Sequence, residues 1–96
     1  MKIGRHTLKA HGLKTDKGAF KRLWNGDKTA KFRKNDRDFK VGEILVLEEH
    51  YCGEYTGNYV VVRVTDIVYG PEYGIPDGYC MMSIKELLRF DLEEDS

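Results

Sequence analysis

The chain has 96 residues, and its 16 Lys and Arg balance 16 Asp and Glu, so its formal net charge is zero. This length corresponds to one small domain, and a hydrophobic content of 41% supplies a modest core. No continuous apolar run is long enough to predict a membrane-spanning segment. Basic residues near the start are followed by no apolar stretch, so we expect no secretory signal peptide and a cytoplasmic protein.

The balanced total conceals a segregation of charge along the chain. Residues 1–40 contain 13 Lys and Arg against 4 Asp and Glu, a net charge of +9, and residues 41–96 contain 3 against 12, a net charge of −9. A basic half points to an anionic partner such as a nucleic acid. The alternative is that the two halves fold against each other and their charges intermix, because segregation along the chain does not fix segregation in space.

The two cysteines, Cys52 and Cys80, lack the spacing that is typical of disulfide scaffolds or zinc sites. We therefore expect two free thiols. His50 and Cys52 could touch one metal ion from a strand face, but a stable zinc site needs three or four ligands. The sequence predicts no metal site, and we expect no cofactor.

The predicted elements begin with a strand at residues 5–10 and continue with a short amphipathic helix. Thr15-Asp16 offers an N-cap, and Asn25-Gly26 is typical of a helix end. Between them, the apolar residues that share one helical face are Phe20, Leu23 and Trp24. This spacing predicts a helix of about three turns.

The rest of the chain reads as strands. Residues 28–34 alternate, with Ala30 and Phe32 on one face and Lys31 and Arg33 on the other. The apolar segments that indicate further strands are Ile44–Leu47, Tyr59–Tyr69 and Tyr79–Ile84. Residues 51–58 resemble a hairpin connection, and residues 70–78, with two prolines, form a loop.

This order predicts an α+β, mostly β fold, a small curled sheet or barrel with one early amphipathic helix. Residues 85–90 extend it as an edge strand or as a short C-terminal helical turn. We expect residues 1–90 to form a single domain and residues 91–96 to form an acidic flexible tail.

Basic side chains crowd residues 28–37, which makes this segment the best candidate for a binding site. Lys31 and Arg33 are two residues apart, so on a strand they project from one face. The planar arginine fork suits bidentate contact with phosphate or a base edge. The residues expected to contact nucleic acid are Lys14, Lys28, Lys31, Arg33, Asn35 and Arg37.

Other interpretations of the same residues are less specific. Asp36 and Asp38 can pair with the neighbouring arginines and fix the loop. The aromatic residues that fit a core better than a stacking platform are Phe32, Phe39 and Trp24. His11 fits a hydrogen-bonded histidine at the edge of the core better than a catalytic one.

The segment Gly26–Arg33, G-D-K-T-A-K-F-R, resembles the G-x-K-x-x-E-x-R signature of the ASCH domain, a branch of the PUA-like superfamily. The surrounding order is similar over residues 11–84, and it is closest to a small branch from bacteria and phages. The resemblance implies a PUA-like small β-barrel and an RNA-binding cleft beside the signature strand. Lys28 and Arg33 match the signature, whereas Lys31 stands at its acidic position and makes the cleft more positive.

The resemblance also leaves an enzymatic alternative, because some ASCH proteins resemble amidohydrolases of acetylated cytidine. Such an enzyme would use Lys28, with Glu72 as the candidate base, but Lys31 stands where a hydroxyl group is needed. The sequence therefore favours a module that binds RNA or another nucleic acid over an enzyme. A protein-interaction module is a third possibility, and the oligomeric state is left open.

Overall fold

The computed structural model of the protein describes residues 9–92. The elements in chain order are β1 (Ala10–Asp16), α1 (Lys17–Trp24), β2 (Ala30–Lys34), β3 (Ile44–Tyr51), β4 (Glu54–Tyr69), a 3₁₀ turn (Glu72–Gly74) and β5 (Tyr79–Phe90). Most of the strand predicted at residues 5–10 lies outside the described residues, as do positions 93–96 of the predicted tail. Within residues 9–92, no helix has the length and apolarity that crossing a membrane requires.

The five strands form one sheet in the order β1-β3-β4-β5-β2. β1 runs parallel to β3, and the other three pairs are antiparallel. The sheet curls into a half-barrel whose edge strands are β1 and β2. The prediction of a mostly β fold with one early helix is confirmed at this level.

One face of the sheet, called the inner face here, packs against α1 and holds the core. On β1 the alternation is strict, since His11, Leu13 and Thr15 are buried and the residues between them are exposed. The largest fully buried apolar side chains are Phe39, Leu13, Leu45, Leu47, Met82, Val60, Val62 and Val64. Burial of these side chains supplies the main driving force for folding.

The helix α1 begins at the predicted N-cap. The Asp16 carboxylate accepts a hydrogen bond from the Ala19 N–H at 2.9 Å, which satisfies one of the free donors of the first turn. Phe20 and Leu23 are buried beneath the helix, as their spacing predicts. Asn25 caps the other end, so the helix has eight residues and two turns rather than three.

Of the two alternatives predicted for residues 85–90, the structure shows the strand, because these residues continue β5 and pair with β4. The hairpin connection predicted over residues 51–58 is shorter in the structure. The β3–β4 connection is a tight turn at Cys52 and Gly53, both with positive φ, so β4 starts at Glu54.

A buried polar pair closes the inner face near the start of β1. His11 Nε2 lies 2.9 Å from Glu43 Oε1, and the same oxygen accepts a hydrogen bond from the Lys40 N–H. The His11 ring also meets the Phe39 ring edge to face, with 4.8 Å between centroids. The prediction of a hydrogen-bonded histidine in the core is confirmed.

Candidate nucleic-acid interface

The edge strand β2 turns its basic residues toward the inner face. Lys31 is paired with Met82, and Arg33 is paired with Cys80. Directly opposed residues on antiparallel strands project from the same face, and both partners on β5 are fully buried. The two cations therefore lie beside the core, with their aliphatic stems against apolar neighbours.

Phe32, between the two cations, faces the opposite side of the sheet. It is 45% exposed and stacks on Tyr79, with 5.4 Å between ring centroids and 9° between the planes. The prediction of a core position for Phe32 is wrong. β2 is an edge strand, so its inner face lies at the margin of the core. The long side chains of Lys31 and Arg33 can reach solvent from this margin, whereas the shorter Phe side chain could not.

Lys28, Lys31 and Arg33 form a basic cluster. The pKa of the Lys31 ammonium lies below its ordinary value, first because burial disfavours the charge and then because Lys28 and Arg33 lie close to it. Asp16 acts in the opposite direction and only partly offsets the effect. The fold thus gathers these three cations at one place, with the Asp16 carboxylate near Lys31 and the Asp36 carboxylate near Arg33.

Two polar atoms on the inner face lack partners. Within residues 9–92, the buried side-chain atoms without a hydrogen-bond partner are Thr15 Oγ1 and Arg33 Nε. The Asp36 carboxylate forms an ion pair with Arg33, as predicted for this loop, but its distance of 3.9 Å from Arg33 Nε is beyond hydrogen-bond distance. Such atoms are rare in folded proteins, so each calls for a functional or structural explanation.

Thr15 and Arg22 were not among the predicted site residues; Thr15 precedes Asp16 on β1, and Arg22 lies near the Asp16 carboxylate. The pKa of the Asp16 carboxyl is lowered chiefly by the Ala19 N–H that it accepts, and then by Gly18, Arg22 and Lys31. Arg22 and Lys31 therefore both lie near this carboxylate. The alternation of inward and outward residues on β1 would have indicated that Thr15 faces the core. The prediction of Thr15 as part of the helix cap obscured this pattern.

The structure does not bring the remaining predicted residues to the basic cluster. Lys14 projects from the outer face of β1. The Asn35 Oδ1 accepts a hydrogen bond from the Phe39 N–H at 2.9 Å, and Arg37 donates to the Gly12 carbonyl at 2.9 Å. Both side chains thus hold the β2–β3 connection in place.

The residues of the alternative catalytic pair, Lys28 and Glu72, lie in different connections of the chain. Glu72 lies in the exposed turn of the 70–78 loop, and no hydrogen bond or ion pair joins it to Lys28 among the described residues. Cys52 is exposed and Cys80 is buried, and both are free thiols. Burial raises the pKa of the Cys80 thiol, which makes it a poor nucleophile.

A family model described as a domain of unknown function, DUF3850, matches residues 10–84. The match includes β1 to β4, the first half of β5 and the whole basic cluster. The chain belongs to the DUF3850 family. As a DUF3850 member it is also similar to a protein of Escherichia phage P2, described as an uncharacterized 12.9 kDa protein in the GpA 3′ region.

The similarity between this DUF3850 chain and the phage P2 protein extends over 59 residues at 39% identity. These residues are 62% of the chain and 54% of the phage protein. The chain therefore spans about half the length of that relative, whose printed description assigns no activity.

Proposed function

We propose that this DUF3850 domain binds RNA through the basic cluster on the inner face of β2. The observation that carries the proposal is the Arg33 guanidinium, whose Nε is buried and has no hydrogen-bond partner within residues 9–92. Arginine presents its donors in a fixed planar fork that matches phosphate and base edges. An anionic ligand at this position would supply the missing acceptor.

The electrostatics of the cluster support the same proposal. Burial and the nearby Lys28 and Arg33 disfavour the charged form of Lys31, so holding the three cations together destabilises the unliganded fold. A bound phosphate would remove both the repulsion and the missing contact. Proteins retain such unfavourable arrangements mainly at functional sites.

The fold and the signature support RNA as the anion. We propose that the half-barrel with its single helix is a PUA-like, ASCH-type domain, in which β2 is the signature strand. Lys28 and Arg33 then occupy the signature positions, and Lys31 adds a cation where the family has an acidic residue. The setting of this interaction would be cytoplasmic.

Fluorescence anisotropy with a labelled single-stranded RNA of about 10 nucleotides tests the proposal. Three phosphate contacts predict a slope of about −2 for log affinity against log salt concentration, at roughly −0.7 per contact. Arg33→Ala should weaken binding about tenfold, since a charge-assisted hydrogen bond contributes about 1.5 kcal/mol or more.

Lys34→Ala is the matched control. Lys34 lies on the same strand, but it is exposed and projects from the face that carries Phe32, so its replacement should leave the affinity within about twofold. Equal effects of the two substitutions, or an affinity that does not respond to salt, would contradict the proposal.

A further inference from the structure

Two adjoining hollows lie away from the basic cluster, between α1 and the β3–β4 hairpin. Their volumes are about 210 and 290 Å³, and neither is lined by a residue of the cluster. Lys17, Glu49 and Asn58 line both. We call the pair the α1–hairpin groove; together the hollows fall within the range of about 300–1,000 Å³ that is typical of small-molecule sites.

The central polar group of the groove is a carboxylate held in one orientation. Glu49 Oε1 accepts hydrogen bonds from the Thr56 hydroxyl at 2.8 Å and from the Asn58 Nδ2 at 3.1 Å. Asn58 is itself fixed, because its Oδ1 accepts from the Leu92 N–H at 2.9 Å. Within residues 9–92 both hydrogen bonds reach Oε1, so Oε2 is left as a positioned acceptor.

Aromatic and basic side chains surround this acceptor. Phe20 and Trp24 line the first hollow, with 5.7 Å between their ring centroids; Phe20 is buried, and the Arg89 guanidinium lies over the Trp24 ring at 4.2 Å from its centroid. Lys21 lines the same hollow from α1, and the Lys17 Nζ lies 4.3 Å from the centroid of the Tyr51 ring in the second. The groove therefore combines apolar ring surface, the oriented Glu49 acceptor, two cations and a second carboxylate, Asp91, which lines the first hollow.

From this combination we infer that the α1–hairpin groove binds an adenine nucleotide or an adenine residue of RNA. The exocyclic amino group donates to Glu49 Oε2, the purine ring packs against the exposed part of the Trp24 ring, and the phosphate meets Lys21. Carboxylates are suited to accept from amino groups of bases, and aromatic side chains supply stacking surface. This site is separate from the basic cluster and does not depend on it.

A pair of purine nucleotides that differ at one group tests the inference. Adenosine 5′-monophosphate carries an amino group where inosine 5′-monophosphate carries a carbonyl oxygen. The chain has one tryptophan, Trp24, so its fluorescence reports on the groove directly, with free tryptophan as the inner-filter control. We expect saturable quenching by adenosine 5′-monophosphate and about tenfold weaker binding of the inosine nucleotide.

Glu49→Gln should abolish this discrimination while the melting temperature is retained, because the glutamine carbonyl can still accept from Thr56 and Asn58. Glu48→Gln is the matched control, since Glu48 lies on the same strand and its carboxylate is 3.3 Å from where a side chain of Gly12 would start on the outer face. It should leave both affinities unchanged. Lys21→Ala should weaken the nucleotide several-fold but not adenosine.

The proposals for the basic cluster and for the α1–hairpin groove can be contradicted independently. Arg33→Ala should leave quenching by adenosine 5′-monophosphate intact, whatever it does to RNA binding. Equal affinities for the two nucleotides, or quenching that does not saturate, would overturn the groove inference; the second result would favour an aromatic side chain of a protein partner instead. Neither result would affect the salt-dependent binding of RNA at the basic cluster.

Discussion

Two regions of the inner face place charged side chains next to the core, and they differ in how those charges are satisfied. Near the start of β1, His11 and Glu43 contact each other at 2.9 Å, and the Lys40 N–H completes the pair. On β2, Lys31 and Arg33 project toward the same core, and the acid nearest to Arg33 Nε is 3.9 Å away.

This difference indicates that the His11–Glu43 pair has a structural role, whereas Arg33 is a candidate binding residue. A buried carboxylate with two internal donors needs no ligand, and its removal damages the fold. The buried Arg33 Nε has an ion-pair partner at 3.9 Å but no hydrogen-bond partner in the described residues, so it keeps hydrogen-bonding capacity for a ligand. Substitutions at the first region should therefore change stability, and those at the second should change binding.

The largest effect on stability is expected at the buried His11–Glu43 pair. Glu43→Ala leaves the His11 ring nitrogen and the Lys40 N–H without their acceptor in a buried setting, which should cost about 3 kcal/mol. In a domain of this size the melting temperature should fall by roughly 10–20 °C. Thermal unfolding followed by circular dichroism measures this, with Glu48→Ala as the outer-face control.

If Glu43→Ala lowered the free energy of unfolding by less than about 1 kcal/mol, the His11–Glu43 pair would contribute no more than an exposed ion pair. That result would contradict its structural role. RNA affinity, measured well below the lowered melting temperature, should be unchanged. A variant that binds RNA tenfold more weakly while folded would assign Glu43 to the interface instead.

The next largest effect is expected at Asp16, which caps α1 and also lies near Lys31 of the basic cluster. Asp16→Ala removes the helix cap and should cost about 1 kcal/mol, whereas Asp16→Ser keeps a capping oxygen. Both remove the carboxylate that lies near Lys31 and Arg22, so both should tighten RNA binding at low salt. Anisotropy and urea unfolding of the two variants separate the cap from the charge.

The pH dependence of this contribution has a definite sign. The pKa of Asp16 is lowered in the folded state from its ordinary value of 3.8, so the carboxylate stabilises the fold at neutral pH and loses this effect as the pH falls below that value. The stability difference between the wild type and Asp16→Ala should therefore shrink with acidification below pH 3.8. A stability difference that stays constant on acidification would contradict the role of the Asp16 carboxylate as the cap of α1.

The smallest effect is a gain in stability. Lys31→Met removes a partly buried charge beside two other cations and should raise the melting temperature by roughly 2–4 °C, about 0.5 kcal/mol in a domain of this size, while it weakens RNA binding. The pKa of Lys31 lies below 10.5 in the fold, so the charge destabilises the protein at neutral pH. Deprotonation relieves this cost as the pH rises toward 10.5.

The gain in melting temperature from Lys31→Met should therefore become smaller in alkaline solution. Lys34→Met, on the exposed side of the same strand, should change neither the melting temperature nor RNA affinity. If Lys31→Met lowered stability instead, the ammonium would be satisfied within the protein, and the basic cluster would lose its role as a binding site.

Local patterns in the sequence predicted the elements well where one signal dominated. The Asp16 cap and the spacing of Phe20 and Leu23 located α1, and the valine-rich run located β4. The alternation of residues 28–34 assigned Lys31 and Arg33 to one face of a strand. The prediction failed at Phe32, because alternation states which residues share a face and does not state which face is buried.

Local patterns were enough to predict a small, mostly β chain with an early helix, a segregated charge and two basic residues on one face of a strand. The pairing of segments in three dimensions was needed to place β2 at the edge of the half-barrel with those residues facing inward. It was also needed to show that Arg37 and Asn35 hold a loop and that Asn58 orients Glu49 across the β3–β4 hairpin. The reason is that local spacing sets the direction of side chains along an element, whereas pairing between distant segments sets which face meets the core and which polar atoms find partners.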